Sequence, residues 1–277
     1  MLKVLVFWDY DTQWGADRSR LPGGKKDWGH LEFSNTETLL ELHAKYEVPS
    51  CFAVVGAAAL PGQRPYHDPE QIRRIDTAGH EVGSHMLKHE WIPGIGKIGL
   101  KESLKNSKEA LENCIGKEVV SFVPPYNQPF DFPRRLSFSV AERRAVRKDR
   151  IDIVTMCSLL KESGYKFSRI SYQNVFKKIG NKILGKPIKD APSQIENIQG
   201  IECLKLNTRG GFLNMGAQLE ECLTNDGYFI AYGHPHSITS NNAQNVAHLE
   251  EFLIIVQRLK KAGKIEVVLP RDILHGH

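Results

Sequence analysis

Residues 1–11 of the chain read MLKVLVFWDYD. Positions 4–8 are all apolar, and Asp9 and Asp11 follow them closely. A continuous apolar run bounded by acids predicts a buried strand of a parallel sheet, because both faces of such a sheet are covered. The run is too short for a membrane span or for the core of a signal peptide, so we expect a cytoplasmic protein. In an extended segment, Asp9 and Asp11 would point to the same side of the chain.

Short apolar runs of this kind alternate with helical patterns along the rest of the chain. We predict strands at residues 3–8, 50–55, 81–84, 119–123, 166–171, 201–206, 228–232 and 265–269. The spacing of apolar residues predicts helices at residues 36–46, 69–78, 100–115, 152–163, 215–223 and 243–262. This alternation indicates an α/β fold with parallel strands, which an open doubly wound sheet and a (β/α) barrel both satisfy. In either fold, functional residues gather at the carboxyl ends of the strands.

Composition and charge limit the classes of function. The chain has 41% hydrophobic and 25% charged residues, which is an ordinary composition for a soluble protein, and we expect a single domain over residues 1–277. The net charge of +5 is uneven, because residues 128–200 carry 15 lysines and arginines against 7 aspartates and glutamates. This basic insert predicts an anionic partner, such as a phosphate-bearing substrate or a membrane surface, and a solvated basic face explains it equally well. We expect no nucleic-acid partner, since no aromatic-basic recognition motif accompanies the charge.

Two histidines follow the predicted strand at residues 81–84. His85 and His89 are four residues apart, and in a helix they would lie on one face at a spacing that suits a metal ion. Eleven histidines placed at random would give about 0.4 such pairs, so the spacing alone is weak support. Their position after a strand strengthens the metal-site interpretation. Asp9 and Asp11 also have a second explanation, because aspartate favours turns and helix N-caps.

Two further strand ends carry candidate residues. Pro124 and Pro125 make the segment after the fourth strand rigid, which would hold the backbone amide of Tyr126 in a defined place. Residues 233–236, after the seventh strand, read GHPH. A histidine at the mouth of a buried strand is a candidate general acid or base, and His234 and His236 compete for that role. Polar groups at four different strand ends together predict an active site.

The order of these segments resembles that of the polysaccharide deacetylase family, carbohydrate esterase family 4. The first motif of that family carries two aspartates after strand one, and the Asp-x-Asp spacing of residues 9–11 is similar to the branch that acts on sugar precursors. The second motif has the His-x3-His spacing of residues 79–89, and the last motif ends in a histidine that His234 matches. The resemblance covers nearly the whole chain and implies a distorted (β/α)7 barrel.

The resemblance also assigns roles to residues at the strand ends. It implies that Asp11, His85 and His89 hold a divalent metal ion. It implies that Asp9 is the catalytic base and that His234 protonates the leaving amine, while the backbone N–H of Tyr126 contributes to the oxyanion site. We expect further substrate contacts from Trp14, Pro125, Asn127 and Arg209.

Two positions depart from the family pattern. Val123 stands where the family has an arginine that orients the catalytic aspartate, and Asn127 replaces a glycine. Arg209 follows a later predicted strand, so we expect it to supply the missing cation beside Asp9. A structure that places the guanidinium of Arg209 away from Asp9 would refute this expectation.

The function that the resemblance implies is metal-dependent hydrolysis of an acetamido or other acylamido group on a sugar. We expect a nucleotide- or lipid-linked precursor of a surface polysaccharide as the substrate, and a peripheral contact with the membrane. Zinc is the expected metal, and cobalt, nickel and manganese suit the same mixed nitrogen and oxygen ligands. Two alternatives stay open: an amidohydrolase of the same fold with a ureide or cyclic imide substrate, and a degenerate relative that binds glycans without catalysis.

Overall fold

The computed structural model describes residues 1–19, 28–127, 151–170, 192–206 and 208–274. Its strands are β1 (Leu2–Tyr10), β2 (Cys51–Val54), β3 (Glu81–Ser84), β4 (Ser121–Phe122), β5 (Phe167–Ile170), β6 (Ile195–Ile198), β7 (Ile201–Lys205), β8 (Gly227–Gly233) and β9 (Ile265–Val267). Its helices are α1 (Thr12–Ser19), α2 (Trp28–Tyr46), α3 (Pro69–Thr77), α4 (Ile92–Ile115), α5 (Ile153–Glu162), α6 (Met215–Glu221), α7 (Val246–Lys261) and α8 (Pro270–Ile273). Each of the eight predicted strands is present.

The strands of the described segments form one curled sheet in the order β6-β7-β5-β4-β3-β2-β1-β8, with β9 beside the first half of β1. Every pairing among β1, β2, β3, β4, β5, β7, β8 and β9 is parallel. The two ends of this order meet where Ser193, just before β6, exchanges backbone hydrogen bonds with Tyr228 of β8. The predicted distorted α/β barrel is therefore confirmed, and its irregularity lies at this junction.

The strand β6 was not predicted, because its sequence lacks an apolar alternation. Glu196 and Asn197 are exposed, as is common on an antiparallel edge strand with one solvated face. A two-residue turn, in which Gln199 and Gly200 both have positive φ (56° and 83°), joins β6 to β7. This is the geometry of a tight β-hairpin, so the hairpin depends on backbone conformation more than on a hydrophobic pattern.

The helix α4 begins at Ile92, eight residues before its predicted start, and two helices at the carboxyl end of β1 also differ from the predictions. The helix α1 was not predicted, and α2 begins at Trp28, eight residues before the predicted start. Apart from Phe33, the side chains that the first turns of α2 bury are polar, namely those of Glu32, Asn35 and Thr36. Apolar spacing cannot reveal a helix whose buried face is polar. Both helices pack over the carboxyl end of β1, which places their polar faces beside the acids that follow it.

Alternation along β1 determines which side chains enter the barrel. Leu5 and Phe7 point inward and pack with interior residues from the other strands, including Ala53, Phe167 and Ile230. The residues that alternate with them, Val4, Val6 and Trp8, point outward into the larger core beneath the helices. Because the side-chain period of a strand is two, Asp9 continues the inward series at the carboxyl end of the barrel. Among the described helices, none is both long enough and apolar enough to cross a bilayer.

Candidate active site

A cleft opens at the carboxyl ends of the barrel strands. It is lined by Asp9, Asp11, Ser19, Trp28, His85, His89, Tyr126, His234 and His236. The structure therefore brings together the six residues to which the sequence assigned catalytic or metal-binding roles. They come from the ends of β1, β3, β4 and β8, so the shared edge of the parallel strands is what assembles them.

Three buried side chains in this cleft form a set that could hold a metal ion. The Oδ1 atom of Asp11 lies 3.4 Å from Nε2 of His85 and 3.5 Å from Nε2 of His89. The ligand atoms all lie within 4.8 Å of one another. Oδ1 of Asp11 is buried without a hydrogen-bond donor among the described residues, so this oxygen lacks the partner that a buried carboxylate needs. One carboxylate and two imidazoles with a shared focus fit a divalent cation.

The two histidines do not lie on a helix, and that part of the prediction was wrong. Residues 86–88 form a turn, and Met86 and His89 have positive φ values of 66° and 56°. Such conformations are uncommon for residues other than glycine and concentrate at functional sites. The turn is held from outside, because the carbonyls of Met86 and Leu87 accept hydrogen bonds of 2.8 and 2.7 Å from the backbone of residues 56 and 57. The loop thus aims both imidazoles at Asp11.

The orientation of His85 depends on a backbone group of Val123, the residue that follows β4. Nδ1 of His85 donates a hydrogen bond of 2.8 Å to the carbonyl oxygen of Val123, so Nε2 is the nitrogen that faces Asp11. A metal-binding histidine commonly has such a partner on its other nitrogen. The residue that replaces the family arginine therefore still supports the ligand set through its main chain.

A glycine allows Asp11 to sit against the first turn of α1. The backbone N–H of Gly15 donates to the carbonyl of Asp11 at 3.0 Å. A Cβ atom on Gly15 would come within 2.4 Å of Cβ of Asp11, which no side chain could tolerate. Absence of a side chain at this position is therefore a condition for the observed place of the predicted ligand.

Asp9 is paired with an arginine that the sequence analysis missed. Nη2 of Arg169 lies 2.7 Å from Oδ2 of Asp9, and both side chains are buried. The guanidinium carbon lies 5.0 Å from the ring centre of Phe7 and 4.7 Å from that of Tyr232, so aromatic faces hold the cation from two sides. Arg169 therefore occupies the barrel interior directly beneath the candidate base.

The expectation that Arg209 supplies this cation was wrong. Arg209 is exposed, whereas the arginine that contacts Asp9 is Arg169 of β5. The register explains the exchange, because Phe122 of β4 pairs with Ser168 of β5, which brings Val123 level with Arg169 on the next strand. A signal was available in the sequence. Arg169 lies in the middle of the predicted strand at residues 166–171, and a charged residue in a buried strand needs a partner inside the protein.

The electrostatics of the cleft suit a carboxylate base beside a metal site. Burial alone would raise the pKa of Asp9, but the guanidinium of Arg169, helped by His85 and His234, holds it below its ordinary value. Asp9 is therefore ionised at neutral pH. Burial lowers the pKa of His89 to about 3, so this imidazole is neutral, as a metal ligand must be. The pKa of His85 is raised despite burial, because the carboxylate of Asp11 lies 3.4 Å from its Nε2 and the charge of Asp9 is also close.

The two competing histidines have different surroundings. Nε2 of His234 lies 3.9 Å from Oδ2 of Asp9, so this ring faces the candidate base. His236 stacks on Trp28 with ring centres 4.3 Å apart, and its Nδ1 lies 3.2 Å from a carboxylate oxygen of Glu32. Burial raises the pKa of Glu32 well above its ordinary value. The sequence analysis named neither Glu32 nor Trp28, because no motif marks a polar helix face.

The remaining sequence candidates are placed less centrally. Trp14 packs against Tyr66 and His67, with the ammonium of Lys88 above its ring, and it is not among the residues that line the cleft. Pro125 is buried at the start of the short turn that carries Tyr126. Substrate contacts of these residues stay predictions, as does that of Arg209. The side chain of Asn127 lies outside the described residues, and so do residues 128–150 and 171–191 of the basic insert.

The fold and the site define an α/β barrel with an Asp-His-His ligand set and an arginine-paired aspartate at the mouth. The polysaccharide deacetylase family model matches residues 27–136, so the resemblance to that family is confirmed. A protein of Mycobacterium smegmatis and one of Pseudomonas aeruginosa PAO1, both assigned to the polysaccharide deacetylases, have 17% and 16% identity and TM-scores of 0.66 and 0.61. Each alignment covers 98% of this chain, together with 88% of the M. smegmatis chain and 89% of the P. aeruginosa chain. The Puue allantoinase has 14% identity and a TM-score of 0.58 over 98% of this chain and 88% of its own. At these identities the likeness shows the fold alone.

Proposed function

We propose that this protein is a metal-dependent N-deacetylase that hydrolyses an acylamido group on a sugar. The observation that carries the proposal is the meeting of three groups in one cleft: the Asp11, His85 and His89 set, the Asp9–Arg169 pair, and His234. Hydrolysis of an amide needs a base for water, stabilisation of an oxyanion and an acid for the leaving nitrogen. The family match over residues 27–136 supports the same reaction.

The residues of the cleft divide this work among them. Asp9 accepts the proton of the attacking water, because Arg169 keeps it ionised at neutral pH. His234, whose Nε2 lies 3.9 Å from Oδ2 of Asp9, delivers a proton to the leaving nitrogen. Tyr126 has a φ of 66° at a rigid turn, and its backbone N–H is our candidate for the oxyanion contact.

We propose that the metal is a divalent ion held by Asp11, His85 and His89, with zinc first and cobalt, nickel or manganese as substitutes. When bound, such an ion polarises the acyl carbonyl and lowers the pKa of a coordinated water. Plasma emission analysis of the purified protein should find one divalent ion per chain. His89→Ala should lose it, while His248→Ala, a control on the surface of α7, should keep it.

We further propose that the sugar is an activated precursor that carries phosphate on a nucleotide or lipid, and that the reaction takes place in the cytoplasm or at the inner face of the membrane. The support is the excess positive charge of residues 128–200. Salt-sensitive binding to vesicles that contain anionic lipid would separate a lipid-linked substrate from a nucleotide-linked one.

A panel of acylated substrates tests the activity itself. Acetylated nucleotide sugars, acetylated glycans, a ureide and a cyclic imide are incubated with the metal-loaded protein, and released acetate and ring-opened or urea products are measured. Acetate from a sugar substrate that Asp9→Asn abolishes supports the proposal. Turnover of the ureide or imide alone would replace it with another amidohydrolase activity. Glycan binding without any turnover would replace it with a non-catalytic role.

A further inference from the structure

His234 must present one particular ring nitrogen to the substrate in order to act as the acid. A neutral imidazole carries its hydrogen on Nδ1 or on Nε2, and the hydrogen bonds of the ring decide which. Nε2 is the nitrogen on the side of Asp9, at 3.9 Å from Oδ2. Whatever holds Nδ1 therefore determines whether Nε2 is available to exchange a proton with the reacting groups.

Nδ1 of His234 faces the side chain of Gln244, on the segment before α7. Oε1 of Gln244 lies 2.6 Å from the backbone nitrogen of His234 and 3.1 Å from its Nδ1. A backbone N–H can only donate, so the atom 2.6 Å away must be the amide oxygen rather than the amide nitrogen. The same oxygen can only accept from Nδ1, which must then carry the hydrogen. The contact to the main chain thus settles the tautomer of the side chain.

Neighbouring groups hold Gln244 in its position. Its backbone N–H donates to Oδ1 of Asn242 at 2.8 Å, and the neighbouring carbonyl of Ala243 accepts from Phe212 at 2.6 Å. Gly233, next to His234, leaves room for the amide, because a Cβ there would lie 3.2 Å from Oε1 and under 3.0 Å from Phe212 and Trp8. The amide is therefore seated against the end of β8.

The two neighbouring histidines have different partners on Nδ1. Nδ1 of His236 faces the carboxyl group of Glu32, whose pKa is raised by burial, whereas Nδ1 of His234 faces the amide of Gln244. A carboxylate favours the imidazolium form and so opposes release of the proton, while an amide oxygen orients the ring without that charge. A neutral partner suits a group that must give its proton away.

We propose that Gln244 is a positioning residue that keeps the hydrogen on Nδ1 of His234, so that the protonated ring donates its other hydrogen from Nε2 to the leaving nitrogen and returns to the neutral Nδ1–H tautomer. The proposal rests on the proposed function, because it assigns Gln244 a part in the acid step of that reaction. It goes beyond the motifs that pointed to the family, none of which contains this residue. The groups that face His234 are Asp9 of β1, Asp11 just after that strand, Glu32 of α2, His89 and His236.

Nitrogen NMR of protein labelled with 15N at histidine tests the tautomer without need of a substrate. The signals of His234 are assigned by their loss in His234→Ala. We expect Nδ1–H in the wild type and in Gln244→Glu, and a shift toward Nε2–H in Gln244→Leu. Gln218→Ala, at an exposed position of α6, is the matched control and should change nothing. An unchanged tautomer in a Gln244→Leu protein of wild-type melting temperature overturns the proposal, and Gln244→Ala repeats the test if the leucine variant fails to fold.

Kinetics with the substrate found in the panel provide the second readout. Gln244→Leu should lower kcat roughly tenfold, a part of the ~10²–10⁴ that a general acid contributes, with KM nearly unchanged. Gln244→Glu should restore the tautomer and move the alkaline limb of the kcat profile upward by about one pH unit. If Gln244→Leu and Gln244→Glu lose the same fraction of kcat and show the same fall in melting temperature, the role of Gln244 is structural and the proposal is overturned. A tautomer change in a protein that hydrolyses nothing would instead refute the proposed function and leave the positioning contact established.

Discussion

Replacement of Arg169 by methionine removes the cation beside the candidate base and leaves every predicted metal ligand in place. The guanidinium lies 2.7 Å from the carboxylate of Asp9, and the two side chains are 0% and 4% exposed. Two opposite charges about 4 Å apart attract by about 4 kcal/mol at an effective dielectric constant of about 20. Loss of one partner of such a buried pair costs about 3–5 kcal/mol of stability, because the other charge stays buried.

The expected effect on activity follows from the direction of the Asp9 pKa. Arg169 holds that pKa below its ordinary value against the effect of burial, so its removal lets the pKa rise. An attraction of about 4 kcal/mol corresponds to about 3 pKa units. We therefore expect the acidic limb of the kcat/KM profile to move upward by about two to three pH units, with activity at pH 7 reduced and recovered at higher pH.

The pH dependence of stability that comes from Asp9 has opposite signs in the wild type and in Arg169→Met. In the wild type, the lowered pKa of Asp9 contributes stability above the pKa of the unfolded chain, and this stability is lost as the pH falls through the folded pKa. In Arg169→Met, a raised pKa makes the variant less stable as the pH rises. Denaturant titrations between pH 4 and pH 9 measure this difference.

Three further variants test the reasoning about Arg169. Arg169→Lys should keep most of the shift, because the charge remains even though the geometry of the pair changes. Arg73→Met, at an exposed position of α3, is the matched control and should leave the profile unchanged. Asp9→Asn combined with Arg169→Met should recover part of the stability that each single variant loses, since no unpaired buried charge remains. An acidic limb that stays in place in a folded Arg169→Met protein would refute the assignment of Arg169.

Three other predictions concern the cleft and the floor of the barrel. Asp9→Asn should keep the metal and lose turnover by ~10²-fold or more, as measured by emission analysis and acetate release; retained turnover would exclude Asp9 as base. His234→Ala should lose at least about tenfold more kcat than His236→Ala, and the reverse order would make His236 the acid. Burial raises the pKa of Glu81 to about 7, so the wild type should lose up to about 3 kcal/mol of stability as the pH rises from about 4.5 through 7. Glu81→Gln should remove this slope in thermal unfolding, and a parallel slope in both proteins would contradict it.

Hydrophobic pattern was sufficient to find the barrel strands and insufficient to find the elements that cover the cleft. The strands β1 and β2 at the centre of the sheet are buried and largely apolar runs, and burial on both faces is what such runs encode. The helix α1 and the first turns of α2 bury mostly polar or small side chains, among them Glu32 and Asn35, beside the strand ends. Elements that face an active site satisfy chemistry rather than the hydrophobic period, so they are the ones that the period misses.

The residues of the candidate site also fall into two groups, those that the sequence predicts and those that only the structure shows. Asp9, Asp11, His85, His89 and His234 could be predicted, because each follows a recognisable strand at a fixed offset. Contacts made across the barrel could not, because they depend on which residue of one strand lies beside which residue of another. The partners in those contacts lie far apart in sequence: 160 residues separate Arg169 from Asp9, and 204 separate His236 from Glu32.

The arginine shows how a site can keep its electrostatics while a motif changes. The pairing of Phe122 with Ser168 places Val123 and Arg169 at the same level on adjacent strands, and adjacent strands lie about 4.8 Å apart. A guanidinium rooted on β5 can reach Asp9 from that level as one rooted on β4 would. Burial requires a cation beside the carboxylate, whereas the strand that supplies it is free to vary, provided that the vacated position is filled by an apolar side chain. Val123 meets that condition, since it is buried in the barrel interior while its carbonyl holds His85.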